Sequence, residues 1–200
     1  GAFYGFDEIY NGERLQYAGP PFGWWNLPDQ FTLARLRDLE LSGADRAPRF
    51  VVFPTISTHM PFSPVPPYQD DWPRVLTADP FDEADLERAY AGEPDWLNLT
   101  PAYIDSVAYA YRMLAGLMNL PRTRDSVLIL IGDHQPPALV AGEGASWNVP
   151  VHVVSTRPGI VQALVERGFA SGLTPRPGTL AQMHELAPLL LEVFSGGDER

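Results

Sequence analysis

The chain has 200 residues, a formal net charge of −11 at pH 7, fourteen basic residues that are all arginine, and no cysteine. This length suffices for one domain with a substantial hydrophobic core, and the apolar runs reach strand length only, so we expect no membrane-spanning segment among these residues. The negative charge and scattered arginines argue against nucleic acid as a partner, and the absence of cysteine excludes disulfides, thiolate metal sites and cysteine nucleophiles.

The first part of the chain predicts two strands and a helix. Residues 3–10 alternate aromatic and polar side chains, which is typical of a strand or an edge strand, and because this pattern begins almost at residue one we expect further sequence upstream. A turn-rich loop carries Trp24 and Trp25, and a helix is predicted over 28–42, opened by a proline and ended by a glycine. Residues 49–55 form a continuous apolar run that predicts a second strand.

A long, proline-rich segment and a long helix follow. Residues 63–99 are mostly irregular with a short helix predicted over 81–90, and ordered loops of this length are usually functional. Thr100 as N-cap and Pro101 at the first helical position predict a helix that ends before Pro121. Its predicted apolar face consists of Ile104, Val107, Ala108, Tyr111, Leu114, Ala115 and Met118.

The apolar run 127–131 predicts a strand buried on both faces, as found in the middle of a parallel sheet. The long helix would then connect strands 50–55 and 127–131 in a βαβ unit. A short strand is predicted over 150–155, a helix over 159–167 and a last helix from near Ala187. The predicted fold class is therefore α/β, a mostly parallel sheet flanked by helices, with residues 1–200 forming a single domain.

Asp133 and His134 directly follow the predicted core strand 127–131. Gly132 permits a bend there, and the two prolines after Gln135 prevent further ladder pairing, so both side chains could face one ligand. Ligands of open α/β sheets bind at the carboxyl ends of the strands. A carboxylate and an imidazole suit Mn, Mg, Ca or Zn, and the sequence therefore predicts a divalent metal site. The alternative is an N-cap aspartate beside a hydrogen-bonded structural histidine.

His59 lies just past the predicted strand 49–55, as His134 does for the later strand. If the two strands are parallel, His59 reaches the same rim as Asp133 and His134. On its own, a histidine in a proline-bounded turn is also compatible with a structural role. His152 and His184 are interpreted as structural residues, in an apolar strand and before a helix.

Trp24 and Trp25 are interpreted as residues that close the edge of a core. One aspartate and one or two histidines make an incomplete catalytic metal site, because such a site needs further ligands and a nucleophile. The remaining groups must come from elsewhere.

Five stretches occur in the order in which one enzyme family carries them, and the Gly-Asp-His corner with the His-x-Pro-Phe turn is the most specific part. The stretches are 3–8, 57–62, 103–109, 131–134 and 185–191. In them the chain resembles the sulfatase-like branch of the alkaline phosphatase superfamily, especially the lipoteichoic acid synthase and phosphoglycerol or phosphoethanolamine transferase group. The resemblance spans nearly the whole chain and corresponds to the carboxy-terminal half of the catalytic domain.

The resemblance implies that Asp133 and His134 are metal ligands and that His59 contacts the phosphate or sulfate group of the substrate. It also implies that the remaining ligands and a threonine, serine or modified-cysteine nucleophile come from an amino-terminal half outside these residues, with no catalytic residue inside them. That half would carry transmembrane helices and place the enzyme on the extracytoplasmic face of a bacterial membrane, in the periplasm or outside the cell.

Two departures from the family favour phosphate over sulfate chemistry. Tyr109 is followed by Ala110 where relatives commonly carry an acidic residue, and the lysines that help hold sulfate in many sulfatases are absent. The expected function is a metal-dependent sulfatase-like hydrolase or phosphotransferase acting on an anionic ester, a lipid head group or a glycan. The alternative is a non-catalytic domain that keeps the fold and binds a partner or glycan through the 63–99 loop, Trp24 and Trp25.

Overall fold

A computed structural model describes residues 4–196, and the chain divides into two compact units, Gly1–Thr123 and Arg124–Arg200. The expectation of a single domain over 1–200 stays a prediction. In the part of the chain so described, no helix combines the length and the apolar character needed to cross a membrane.

The first unit is helical. Its helices are α1 (Gly12–Leu15), α2 (Asp29–Leu36), which continues as a π-helical turn (Arg37–Leu41), α3 (Trp72–Val75), α4 (Glu83–Tyr90) and α5 (Thr100–Asn119). The predictions of helices over 28–42 and 81–90 and of a long helix ending before Pro121 are confirmed. The N-cap of α5 is Leu99, so Thr100 is the first helical residue and not the cap.

The first turn of α2 fixes two distant segments of the first unit. The buried carboxylate of Asp29 accepts hydrogen bonds from the backbone N–H groups of Ile56 (3.0 Å) and Ser57 (2.9 Å) and from the Ser57 hydroxyl (2.6 Å). The neighbouring amide of Gln30 donates to the Gln69 carbonyl (2.6 Å) and accepts from the Gln69 N–H (3.0 Å). Because these polar groups are buried and paired, they determine where both segments lie.

Aromatic side chains fill the space around this helix. Phe22 stacks on Tyr90 with 5.3 Å between ring centroids and meets Phe81 edge to face, while Phe62 meets Tyr103 in the same manner at 5.1 Å. Such pairs contribute roughly 0.5–1.5 kcal/mol beyond their burial. They join the loop before α2, the turn after residue 57, α4 and α5 into one core.

The apolar face of α5 differs from the predicted one. Its buried residues are Ser106, Tyr109, Met113 and Leu114, whereas Ile104 and Tyr111 are 59% and 48% exposed. The Tyr109 hydroxyl accepts a hydrogen bond from the backbone N–H of Gln30 at 3.3 Å. Burial, followed by the nearby charge of Asp29, raises the pKa of Tyr109, so the phenol stays protonated.

The predicted strand at 49–55 does not form, and neither does a strand over residues 4–10; residue 3 lies outside the described residues. Phe50 and Val52 are 81% and 59% exposed, although their apolar character predicted burial. A strand needs a hydrogen-bonded neighbour, and within residues 4–196 this segment has none. The predicted βαβ unit is therefore wrong.

A polar cluster ties residues 8–14 and 49 to the end of the α2 helix. The Tyr10 hydroxyl donates to one carboxylate oxygen of Glu40, and Arg49 Nε donates to the other at 2.8 Å. Arg14 lies over the Tyr10 ring, 4.7 Å from its centroid. The hydrogen bond from Tyr10, and after it that from Arg49, lowers the pKa of the Glu40 carboxyl.

The second unit contains β1 (Val127–Ile131), α6 (Ala138–Ala141), β2 (Val151–Ser155), α7 (Pro158–Glu166), a 3₁₀ turn (Met183–Glu185) and α8 (Leu186–Ser195). The two strands, the helix after them and the last helix beginning near Ala187 match the predictions. Ile160, Leu164 and Val193 form the buried core, against which Val127 and Val153 pack from the strands.

The two strands pair antiparallel, with Val127 opposite Ser155 and Ile131 opposite Val151. The prediction of a mostly parallel sheet in an alkaline phosphatase-like sandwich is therefore wrong: the sheet within residues 4–196 has two strands. Residues 132–150 reverse the chain between the strands and contain only the four-residue α6, whereas a parallel crossover usually contains a full helix. Val127 to Leu130 are half-buried and Ile131 is exposed, so β1 is not buried on both faces.

We expect Asp29→Ala to lower the free energy of unfolding by about 3 kcal/mol, because it leaves buried N–H groups of residues 56 and 57 without acceptors. Urea denaturation measures the loss, and amide hydrogen exchange should be faster at Ile56 and Ser57. The control is Asp45→Ala, an exposed carboxylate, which should change stability by less than about 0.5 kcal/mol. Equal stabilities of the two variants would contradict the anchoring role of Asp29.

Glu40→Gln should destabilise the protein more at pH 7 than at pH 3. Because the folded pKa of Glu40 lies below its unfolded value of about 4.3, its contribution is present above that value and is lost as pH falls through the folded pKa. Thermal unfolding at the two pH values measures the difference, with the exposed Glu13→Gln as control. A Glu40→Gln effect that is the same at both pH values would refute this linkage.

Candidate metal and substrate site

Asp133 and His134 follow β1 directly. The backbone N–H of Gly132 donates to the Pro150 carbonyl at 3.2 Å, so pairing with the β2 side continues for one residue beyond the strand. A Cβ at residue 132 would lie 3.1 Å from Cβ of Val149, tighter than ordinary contacts. Close packing against Val149 thus favours glycine here, in addition to the freedom to bend that the sequence predicted.

The two predicted ligands lie side by side and face solvent, with the Asp133 and His134 side chains 88% and 67% exposed. One carboxylate oxygen of Asp133 accepts a hydrogen bond from the His134 backbone N–H at 2.9 Å. The other oxygen, Oδ2, lies 3.4 Å from Nε2 of the His134 ring. The hydrogen bond from the His134 backbone N–H therefore holds the Asp133 carboxylate close to the His134 ring.

The protonation pattern of the His134 ring follows from its other nitrogen. Nδ1 lies 2.8 Å from the Gln135 carbonyl oxygen, and since a carbonyl only accepts, Nδ1 carries the hydrogen in this bond. In the neutral ring Nε2 then presents a lone pair. In the neutral ring, this nitrogen and Oδ2 of Asp133 are two electron-pair donors that a metal ion could bridge, whereas in the protonated ring the two groups form an ion pair.

The separation suits chelation. If both atoms lie about 2.1 Å from a metal ion, as in Zn–N and Zn–O bonds, a distance of 3.4 Å corresponds to an angle of about 108°, close to tetrahedral. Within residues 4–196, no group of three or more His, Cys, Asp or Glu side chains is placed to hold a metal. Asp133 and His134 thus supply two donor atoms, fewer than a complete metal site needs, and their assignment as metal ligands stays a prediction.

The loop between the two strands is attached to the same corner. The side chain of Gln135 donates to the backbone carbonyl of Asn148, and the Asn148 N–H donates to the Ser146 hydroxyl at 3.1 Å. These bonds join Gln135 to residues 146–148 of the loop. Gln135 therefore makes both contacts: its carbonyl oxygen faces Nδ1 of His134, and its side chain binds the loop.

His59 lies in the first unit, whereas Asp133 and His134 lie in the second, and each is described within its own unit. The expectation that the three residues share one rim depended on parallel strands that do not form. The exposed His59 is placed by a turn in which its N–H donates to the Ile56 carbonyl and its carbonyl accepts from Phe62, both at 2.9 Å. Asp29 anchors that turn through its bonds to residues 56 and 57.

The His59 ring repeats the arrangement of His134. Its Nδ1 lies 2.8 Å from the Met60 carbonyl oxygen, so Nε2 again presents the free lone pair of the neutral ring. Trp24, which is 60% exposed, meets the His59 ring edge to face with 5.2 Å between centroids. A substrate group at His59 would therefore also contact this indole.

Sequence reasoning missed two residues here. The sequence predicts that Trp24 closes the edge of a core, and no sequence motif connects it with His59, which lies 35 positions later. Asp29 was recognised only as part of a helix start, although its buried carboxylate holds the Ser57 hydroxyl. The Ser57 hydroxyl donates to that carboxylate and the residue is 1% exposed, so we interpret Ser57 as a structural residue and not as a nucleophile.

The other two histidines stay outside the site. His152 lines a small cavity of about 60 Å³ between β2, α7 and the following loop, together with Leu164 and Phe169. His184 is exposed in the 3₁₀ turn. His152 therefore lies in a strand, as predicted, and His184 lies directly before α8.

Comparison of the chain with protein-family models, with curated proteins and with solved structures finds no match. The resemblance to sulfatase-like enzymes therefore stays a hypothesis that rests on the five sequence stretches alone.

We expect the neutral rings of His59 and His134 to carry their hydrogen on Nδ1, because each Nδ1 faces a carbonyl oxygen. Long-range ¹H–¹⁵N NMR spectra above pH 7.5 distinguish the two tautomers. The control is His184, for which the described residues show no such carbonyl contact and which should populate mainly the Nε2–H form. Nε2–H signals for both predicted rings would exclude this arrangement.

Proposed function

We propose that the chain is part of a metal-dependent hydrolase or transferase of the sulfatase-like type that acts on an anionic phosphate or sulfate ester. The observation that carries the proposal is the Asp133–His134 pair, whose Oδ2 and Nε2 atoms lie 3.4 Å apart with the ring nitrogen unprotonated in the neutral tautomer. Imidazole nitrogen and carboxylate oxygen are both ligands that divalent ions accept.

The metal would polarise an ester oxygen and stabilise the charge that develops as the ester bond breaks. In a chain with a net charge of −11, a local cation is also needed to attract an anionic substrate. Asp133 and His134 would bind and orient the ion. The family resemblance implies that His59 contacts the phosphate or sulfate oxygens. We propose that further ligands and the nucleophile are supplied from outside residues 1–200.

Phosphate esters are the favoured substrates within this proposal. No lysine is present to hold a sulfate group, and the residue after Tyr109 is Ala110 instead of the acidic residue common in the family. The ester would belong to a lipid head group or a glycan at the extracytoplasmic face of a bacterial membrane. This location and these substrates follow from the family resemblance.

A second candidate is a non-catalytic binding domain. The exposed Trp24 ring beside His59 favours it, because an indole with 60% exposure offers a platform for a sugar or a partner side chain. The two candidates differ in their need for a metal: binding through Trp24 does not require one, whereas ester cleavage does.

Metal binding tests the pair directly. We expect Mn²⁺ to broaden NMR signals of residues 132–135, and Asp133→Asn and His134→Gln each to weaken binding by at least about tenfold, since even outer partners of a ligand are worth about that much. The matched control is Glu143→Gln, an exposed acidic residue in the adjacent loop. Equal effects of Glu143→Gln and Asp133→Asn would show diffuse attraction to acidic surface instead of a site.

Activity of the longer protein that carries this chain tests the function. With Mn²⁺, Mg²⁺ or Zn²⁺ present, Asp133→Asn should lower turnover of bis(p-nitrophenyl) phosphate by about 100-fold or more, while Glu143→Gln leaves it unchanged. Residues 1–200 alone should be inactive. Sustained turnover by residues 1–200, or full activity of Asp133→Asn, would contradict the proposed role of the pair.

A further inference from the structure

Two arginines of the first unit, Arg88 and Arg112, line one open pocket. The pocket has a volume of about 330 Å³ and is lined by Val65, Pro67, Tyr68, Asp85, Arg88, Ala89 and Arg112. These residues come from the irregular segment after residue 63, from α4 and from α5. Three separate parts of the chain therefore form the pocket, and none of its lining residues belongs to the candidate metal site.

The arginines retain most of their hydrogen-bonding capacity. Arg88 pairs with Asp85 one turn earlier on α4, and Arg112 Nη2 lies 3.4 Å from Asp70 Oδ2. Each guanidinium has five N–H donors, and exposed ion pairs of this kind contribute only about 0–1 kcal/mol. An incoming anion can therefore replace Asp85 and Asp70 as the partner of the two guanidinium groups at little cost.

Tyr68 holds one of the two guanidinium groups in place. Cζ of Arg112 lies 4.4 Å from the centroid of the Tyr68 ring, within the range of a cation–π contact. The Tyr68 hydroxyl packs against α5 at Gly116, where a Cβ would lie 2.1 Å from it. Because any larger residue at 116 would displace the phenol, this glycine allows the Tyr68 ring to lie under Arg112.

We propose that this pocket binds a small organic phosphate, such as a sugar phosphate, with the phosphate between Arg88 and Arg112. Guanidinium groups match tetrahedral oxyanions through paired N–H donors. The volume exceeds what a bare phosphate fills and lies in the range of small-molecule sites. The apolar walls Val65, Pro67 and Ala89 would contact the C–H face of the organic body.

This inference is independent of the proposed metal-dependent function, because its residues and its ligand contacts require no metal. It also gives a role to the long 63–99 segment, which the sequence singled out as too long for a simple connection. The site uses α4, the short helix within that segment, as one wall.

Isothermal titration with glucose 1-phosphate, inorganic phosphate and glucose tests the proposal. We expect glucose 1-phosphate to bind more tightly than phosphate and glucose not to bind. Arg88→Gln and Arg112→Gln should each weaken binding by about 5–10-fold, a change typical of a lost charge-assisted hydrogen bond at a solvated site. Arg112→Lys keeps the charge but loses the planar fork, and should recover only part of the affinity.

Two control variants make the outcome decisive. Arg176→Gln removes the same charge from an exposed arginine in the second unit and should leave binding unchanged, as should Asp133→Asn. Equal weakening by Arg176→Gln, or loss of binding in Asp133→Asn, would overturn the pocket as the site. Binding to vesicles that contain phosphatidic acid, without binding of glucose 1-phosphate, would overturn the small-molecule ligand.

Discussion

The buried carboxylate of Asp29 is the interaction on which the first unit depends. It lies at the start of α2, where the unpaired N–H groups and the helix dipole favour negative charge, and it accepts three hydrogen bonds from residues 56 and 57. Burial raises its pKa while the bonds from Ser57 and Ile56 oppose that rise. A helix terminus thereby fixes the turn that presents His59, although the two are 30 positions apart.

Local signals predicted the helices well. Proline in or just before the first turn correctly indicated the starts of α2, α5 and α8, and Pro121 the end of α5, because caps and helix breaks depend on neighbouring residues. Strand pairing depends on residues far apart in sequence, and there the prediction was wrong. The apolar run 127–131 forms a strand, but a similar run at 49–55 forms no regular secondary structure and leaves Phe50 exposed, since hydrophobicity alone does not supply a hydrogen-bonding neighbour.

In the candidate site, too, local features could be predicted from the sequence and long-range contacts could not. The proximity of Asp133 and His134 could be predicted from the sequence, because the two residues are consecutive and Gly132 permits a bend after the strand. The contact between Trp24 and His59 and the bond between Asp29 and Ser57 were not visible, because each joins residues 28 or more positions apart. The arginine pocket is a third such case, since residues 68, 88 and 112 share no motif.

The two candidate histidines have a common local design that explains their shared tautomer. Each stands two positions before a proline, in His59-Met60-Pro61 and His134-Gln135-Pro136. A residue before proline is restricted to extended backbone, and proline offers no N–H that would tie the segment into a ladder. The carbonyl of the intervening residue accepts instead from Nδ1 of the histidine before it, at 2.8 Å in both cases. Since Nδ1 then carries the hydrogen, the lone pair of the neutral ring is on Nε2, the nitrogen that makes no contact with the following carbonyl.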